Sequence, residues 1–106
     1  MTTKNIVPKI NYVAQYNAFG PDRFYRSLLS EAVAEIAKIK DGEYKGTSPE
    51  LRLLESAENF LQRFRREGNN IYLELSRTFR RAGHRIYRVM LKSKMIGKNT
   101  KFLNLV

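Results

Sequence analysis

"NNIYLELSRTFRRAGHRIYRVMLKSK", residues 69–94, combines a packing signal with a charge signal. Tyr72, Leu75, Phe79, Ala82, Ile86 and Val89 recur at 3-4-3-4-3 spacing, with Met90 beside them. At 100° per residue these positions form a stripe about 100° wide along one side of a helix. Between residues 77 and 94 the same stretch holds seven Arg or Lys, one His and no Asp or Glu. It therefore predicts a core-forming helix with a cationic back.

Two further helices lie upstream. "SPEL" at 48–51 opens one, with Ser48 as N-cap, Pro49 at the first helical position and Glu50 near the positive end of the helix dipole. Leu51, Leu54, Ala57, Leu61 and Phe64 line one of its faces, Gly68 closes it, and Asn69 or Asn70 caps the helix that follows. "GPDRFYRSLL" at 20–29 opens the other, with Pro21 first and Asp22 in the first turn. Its apolar Phe24, Leu28, Leu29, Ala32, Val33, Ile36 and Ile39 cover about half the cylinder, wider than the stripe of a surface helix. That width predicts that this helix sits between the other two. "DGEYKGT", residues 41–47, ends it with two glycines.

The expected fold is all-α: a small three-helix bundle over residues 21–95, with an N-terminal arm (1–20) and a C-terminal tail (96–106) as extensions. The arm has no clean hydrophobic period and is expected to pack partly, with a short helical turn at Tyr12 to Tyr16. The tail ends in "KFLNLV", which suits packing back on the bundle and docking in a partner's groove equally well. A chain of 106 residues with 42% hydrophobic residues is one domain with enough apolar material for a core. It has no cysteine, hence no disulfide framework and no thiolate metal site. No apolar run approaches the ~20 residues of a membrane-spanning helix, and "MTTKNIVPKINY" is no signal peptide, so a soluble cytoplasmic protein is expected.

The formal net charge of +10 is placed unevenly. Residues 1–40 carry six basic and three acidic groups, residues 41–68 five and six, and residues 69–106 nine and one. Charge concentrated in the last third points to a site rather than to general solubility, and a polyanion is the natural partner. With Arg77 at 0° on the third helix, Arg81, Arg85, Arg88 and Lys92 fall at about 40°, 80°, 20° and 60°. His84 falls at about −20° and Arg80 at about −60°, all clear of the packing stripe. The row from Arg77 to Lys92 is about 22 Å long, with a cation roughly every 6 Å. Long side chains at that spacing can follow successive phosphates.

Like charges at i,i+4 cost a few tenths of a kcal/mol per pair, and Arg77/Arg81, Arg81/Arg85 and Arg88/Lys92 all meet that cost. Arg rather than Lys also suits bidentate phosphate contacts. The expected function is thus non-enzymatic binding of nucleic acid, DNA or RNA, mainly through phosphate contacts from Arg77, Arg80, Arg81, His84, Arg85, Arg88 and Lys92. Arg63, Arg65 and Arg66 extend the patch, and Tyr87, at about −80°, is expected first as a ring half-packed on the bundle edge and second as a ring for stacking on an unpaired base. The alternative is an interaction module whose basic face docks on an acidic protein. The bland alternative is a solvated face whose arginines pair with Glu55, Glu58 or Glu67 across the groove.

"REGNNIYLELSRTFRR" resembles a helix-turn-helix only superficially. A recognition helix reads bases from its N-terminal residues, and here that end is "IYLELS". Gly83 reads as a small residue at a helix crossing. Catalysis finds no foothold in the sequence. His84 is the lone histidine, and only Asp22 and Asp41 represent aspartate, so neither a metal constellation nor a nucleophile–base pair can be assembled. Neither cofactor nor metal is expected, and the apolar stripe needed for an interfacial membrane helix is committed to the core.

Overall fold

The computed structural model describes residues 11–40 and 48–93, which form four helices: α1 (Tyr12–Phe19), α2 (Pro21–Lys40), α3 (Pro49–Glu67) and α4 (Asn70–Lys92). No strand occurs among the described residues, and the fold is all-α. Residues 1–10, the connection 41–47 and the tail with "KFLNLV" lie outside the described residues.

The expected three-helix bundle is corrected to four helices, because the single turn anticipated at Tyr12–Tyr16 is a helix running to Phe19. Asn11 starts it by accepting a hydrogen bond from Ala14 N at 3.0 Å on its side-chain oxygen. Gly20 stops it at a φ of 84°, a left-handed value that suits glycine, and its N–H donates to Tyr16 O at 2.9 Å. Pro21 then begins α2 at once.

What holds α1 in place is aromatic. Tyr12 meets Phe24, Phe60 and Phe79 edge to face, with ring centroids 6.1, 6.3 and 5.0 Å away. Tyr16 meets Phe24 at 5.5 Å, and its hydroxyl donates to Glu74 Oε1 at 2.8 Å. One ring cluster therefore ties all four helices together, each such pair adding roughly 0.5–1.5 kcal/mol beyond its burial.

Three contacts set the helix directions. Phe60 stacks on Tyr72, Ser76 Oγ donates to Ala57 O at 2.7 Å, and Gly83 lies against Leu53 and Leu54. Rising positions on α4 thus meet falling positions on α3, and the two helices stay side by side, antiparallel, for about three turns. That arrangement differs from the steep crossing of a helix-turn-helix pair. On α2, Phe24 meets Tyr12, whose ring also meets Phe60 of α3, while Glu35 pairs with Arg52, so α2 also runs against α3 and along α4.

The helix at the centre is α4, which corrects the expectation that α2 lies between the others. Nine residues of α4 are buried: Leu75, Ser76, Thr78, Phe79, Ala82, Gly83, Ile86, Tyr87 and Met90. On α2 only Phe24, Leu28, Ala32 and Ile36 are, and Val33 is 53% exposed. Measured by angle, the buried arc of α4 runs from Thr78 to Tyr87, about 180° rather than 100°. The extra arc consists of residues too small or too polar to count as core in a sequence. Ser76 is buried because its hydroxyl has the Ala57 carbonyl, and Thr78 because its hydroxyl donates to Glu74 O at 2.9 Å. Gly83 is buried because no Cβ fits there: an added one would stand 2.7 Å from Leu54 Cδ2 and 2.8 Å from its Cγ.

The ends are set much as the sequence implies, with one exchange of partners. Asn69 caps α4, its side chain accepting from Ile71 N at 3.1 Å, and Gly68 closes α3 at a φ of 74°. Ser48 stands at the N-cap position of α3, but its hydroxyl bonds the carboxylate of buried Glu50 instead of a backbone N–H.

Candidate nucleic-acid interface

The long axis of α4 presents its cations as a row because the opposite half of the helix is wedged between α2 and α3. Arg77, Arg81, Arg85, Arg88 and Lys92 are exposed, and Arg80 and His84 are half-buried. The last two lie toward the flank that α3 covers, where Ser76, Gly83 and Tyr87 are buried. Among the described residues no ion pair involves any cation of α4.

Of the carboxylates that were candidates to neutralise the row, Glu58 and Glu67 bond to residues of their own helix, and Glu55 is exposed and forms no ion pair with the row among the described residues. Glu58 accepts from Gln62 Nε2 at 2.8 Å, and Glu67 pairs with Arg63 at 3.1 Å. Glu74, the acidic residue closest in sequence to Arg77, takes the Tyr16 hydroxyl. Glu35 of α2 pairs with Arg52. The row thus keeps its charge, apart from the repulsion its members share.

One member is fixed in position. The Arg81 guanidinium lies over the Tyr25 ring, 4.2 Å from its centroid. A cation over an aromatic face gains roughly 0.5–1 kcal/mol at an exposed site, and the stacked guanidinium still presents its N–H edge outward. Tyr25 was missed in the sequence reading. It stands beside Phe24 at the edge of the apolar face of α2, where a ring reads as boundary core.

Near the C-terminal end of α4 the row is indented. Arg85, Arg88, Val89 and Lys92 line an open hollow of about 180 Å³. All four residues come from the last turns of one helix, with half-buried Val89 the only apolar member.

Several candidate residues are placed elsewhere. Tyr87, the stacking candidate, is 8% exposed and packs with Leu51, Leu54 and Leu91, so its ring belongs to a small apolar cluster. The angle read from sequence was right, but the covering helix α3 was not visible there. His84 is held below its ordinary value of 6.5, first by burial and then by the charges of Arg80 and Arg88. At neutral pH it is an uncharged imidazole rather than the cation expected. Its Nε2 is buried with no hydrogen-bond partner among the described residues.

The proposed extension of the patch by α3 separates from it. Arg63 lies over the Tyr72 ring, 4.4 Å from the centroid. Tyr72 is about 180° around α4 from Arg81, so Arg63 is on the far side of the bundle from the row. Arg63 and Arg66 instead line an open groove of about 640 Å³ with Tyr12, Phe60 and the amides of Asn59 and Gln62. Arg65 is exposed near the end of the same helix.

Among the described residues no group of three or more His, Asp or Glu is placed to hold a metal ion. No described helix is long and apolar enough to cross a membrane. No protein-family model matches the chain, and neither a curated protein nor a solved structure shows significant similarity to it.

Proposed function

We propose that this chain binds nucleic acid without catalysing a reaction, gripping the phosphate backbone through Arg77, Arg81, Arg85, Arg88 and Lys92, with Arg80 at the edge. The observation that carries this reading is the uncompensated row. Five exposed cations share one side of a helix, and among the described residues none of them forms an ion pair, while Glu35, Glu58 and Glu67 bond elsewhere. A face serving solubility alone would intersperse Glu among its Lys and avoid the like-charge cost at i,i+4. Binding is backbone-dominated, because the N-terminal turns of α4, which would read base edges, bury Leu75 and Ser76 against the bundle.

Fluorescence anisotropy with labelled duplex DNA, single-stranded DNA and RNA, starting at low salt, tests this. Binding that weakens with salt, and weakens similarly across unrelated sequences on Arg81→Gln/Arg88→Gln substitution, supports the reading. If no nucleic acid binds at low salt, the reading fails. The same face then fits an acidic protein, and a pull-down comparing wild type with this variant follows.

A further inference from the structure

We infer that the hollow lined by Arg85, Arg88, Val89 and Lys92 is a subsite for a terminal phosphomonoester, so that the protein prefers nucleic-acid ends carrying a phosphate. This rests on the nucleic-acid reading and refines it. The hollow, at about 180 Å³, has room for about six waters at roughly 30 Å³ each. That suits one phosphate with some of its hydration. It is smaller than the roughly 300–1,000 Å³ of pockets that enclose whole ligands, so it suits one group of a larger ligand that extends into solvent.

The charge of the hollow points to a dianion. Three of its four lining residues are cationic, and no ion pair involves them among the described residues. A backbone phosphodiester carries one charge and two non-bridging oxygens, which two cations satisfy. A phosphomonoester at pH 7 carries about −1.5 to −2 and three acceptor oxygens. Three cationic donors along one side of the hollow match the second arrangement.

The N-terminal half of the row is built differently. Arg81 is turned onto the Tyr25 ring there. An extended strip suits the passing backbone, and a notch suits its end. Val89 gives the notch an apolar wall against which the terminal sugar packs.

The test uses one oligonucleotide sequence in two forms, 5′-phosphate and 5′-hydroxyl, bound to the full chain at fixed ionic strength and pH 7.5. Wild type should favour the phosphorylated form by roughly five- to tenfold, the scale of one added charge-assisted contact. Arg85→Gln/Lys92→Gln should bring that ratio close to one. Arg77→Gln/Arg81→Gln, which removes the same number of charges, should weaken both forms and keep the ratio. Circular dichroism of both variants should match wild type, since all four side chains are exposed.

Equal binding of the two forms by wild type overturns the subsite while leaving the row as a backbone-binding face. A preference that survives Arg85→Gln/Lys92→Gln also overturns it, because the end is then held elsewhere. Failure of both forms to bind overturns the subsite and the nucleic-acid reading together.

Discussion

Gly83 of α4 and Leu54 of α3 are in such close contact that a Cβ on Gly83 would stand 2.7 Å from Leu54 Cδ2. The antiparallel pair can lie this close only because position 83 has no side chain, and the closeness explains how α4 buries about half its circumference. Intrinsic propensity argues that Gly83→Ala should stabilise an exposed helix by about 1 kcal/mol. Overpacking at a filled site typically costs about 1–3 kcal/mol and should win here, leaving a net loss of roughly 1 kcal/mol in urea denaturation. Leu54→Ala should reverse the sign, since it vacates the space the new methyl needs. A stabilised Gly83→Ala single variant would show that the two helices are farther apart than described.

Phe79 is 1% exposed and touches rings from α1, α2 and α3. Phe79→Ala should cost about 3–5 kcal/mol, as truncation of a buried ring does. Arg88→Ala, on the exposed side of the same helix, should stay within about 0.5 kcal/mol of wild type. Comparable losses in chemical denaturation would contradict the rotation of α4.

Salt dependence measures how many of the exposed cations meet phosphate. Five contacts on duplex DNA imply a slope near −4.5 in log K against log[salt], at roughly −0.9 per contact. Single strands should give about −3.5, at roughly −0.7 per contact. Arg81→Gln/Arg88→Gln should flatten the duplex slope by about 1.8. A variant with the wild-type slope would exclude those two residues from the interface.

Acid and alkali should destabilise the fold for separate reasons. His84 is held below its ordinary 6.5 when folded, so as pH falls past 6.5 the unfolded chain takes the proton first and stability drops. His84→Gln should lose that part of the decline in melts across pH 7 to 5. Tyr12 and Tyr16 are raised above 10.0, both chiefly by burial, with nearby Glu31 adding for Tyr12 and the Glu74 hydrogen bond for Tyr16. Above about pH 10 the unfolded chain loses these protons first, and stability should fall again. Tyr16→Phe should lessen that alkaline loss; an unchanged alkaline profile would count against the buried hydroxyl.

Tyr16→Phe also probes how α1 is held. Its hydroxyl makes a hydrogen bond to a carboxylate at 2.8 Å, so removing it should cost about 1.5–3 kcal/mol. Hydrogen exchange should then speed up in Tyr12–Phe19 more than in α3 or α4. Uniform acceleration across the bundle would mean that α1 does not open separately.

The sequence by itself determined the helical class, three of the four helices and the clustered charge. These depend on local order: apolar spacing at 3.6 residues per turn, Pro21 and Pro49 at helix starts, Gly68 at a stop, and Arg every third or fourth position. The angular position of each α4 side chain could likewise be computed from its number. Tertiary structure decided which of those angles are covered. Val33 counts as core by composition yet is exposed, Ser76 and Thr78 count as surface yet are buried, and Tyr87 is covered more fully than an edge position implies, while Gly83 stands at a helix crossing as its size suggests. A helix two turns long has too few positions to show a period, so α1 emerged only through the rings and the hydroxyl it places against other helices. His84 lost its charge, Arg81 gained Tyr25 and Arg63 moved to the far side for the same reason. Local sequence sets the direction of a side chain from its own helix axis, but its neighbours, and with them its solvation and charge state, belong to helices distant in the chain.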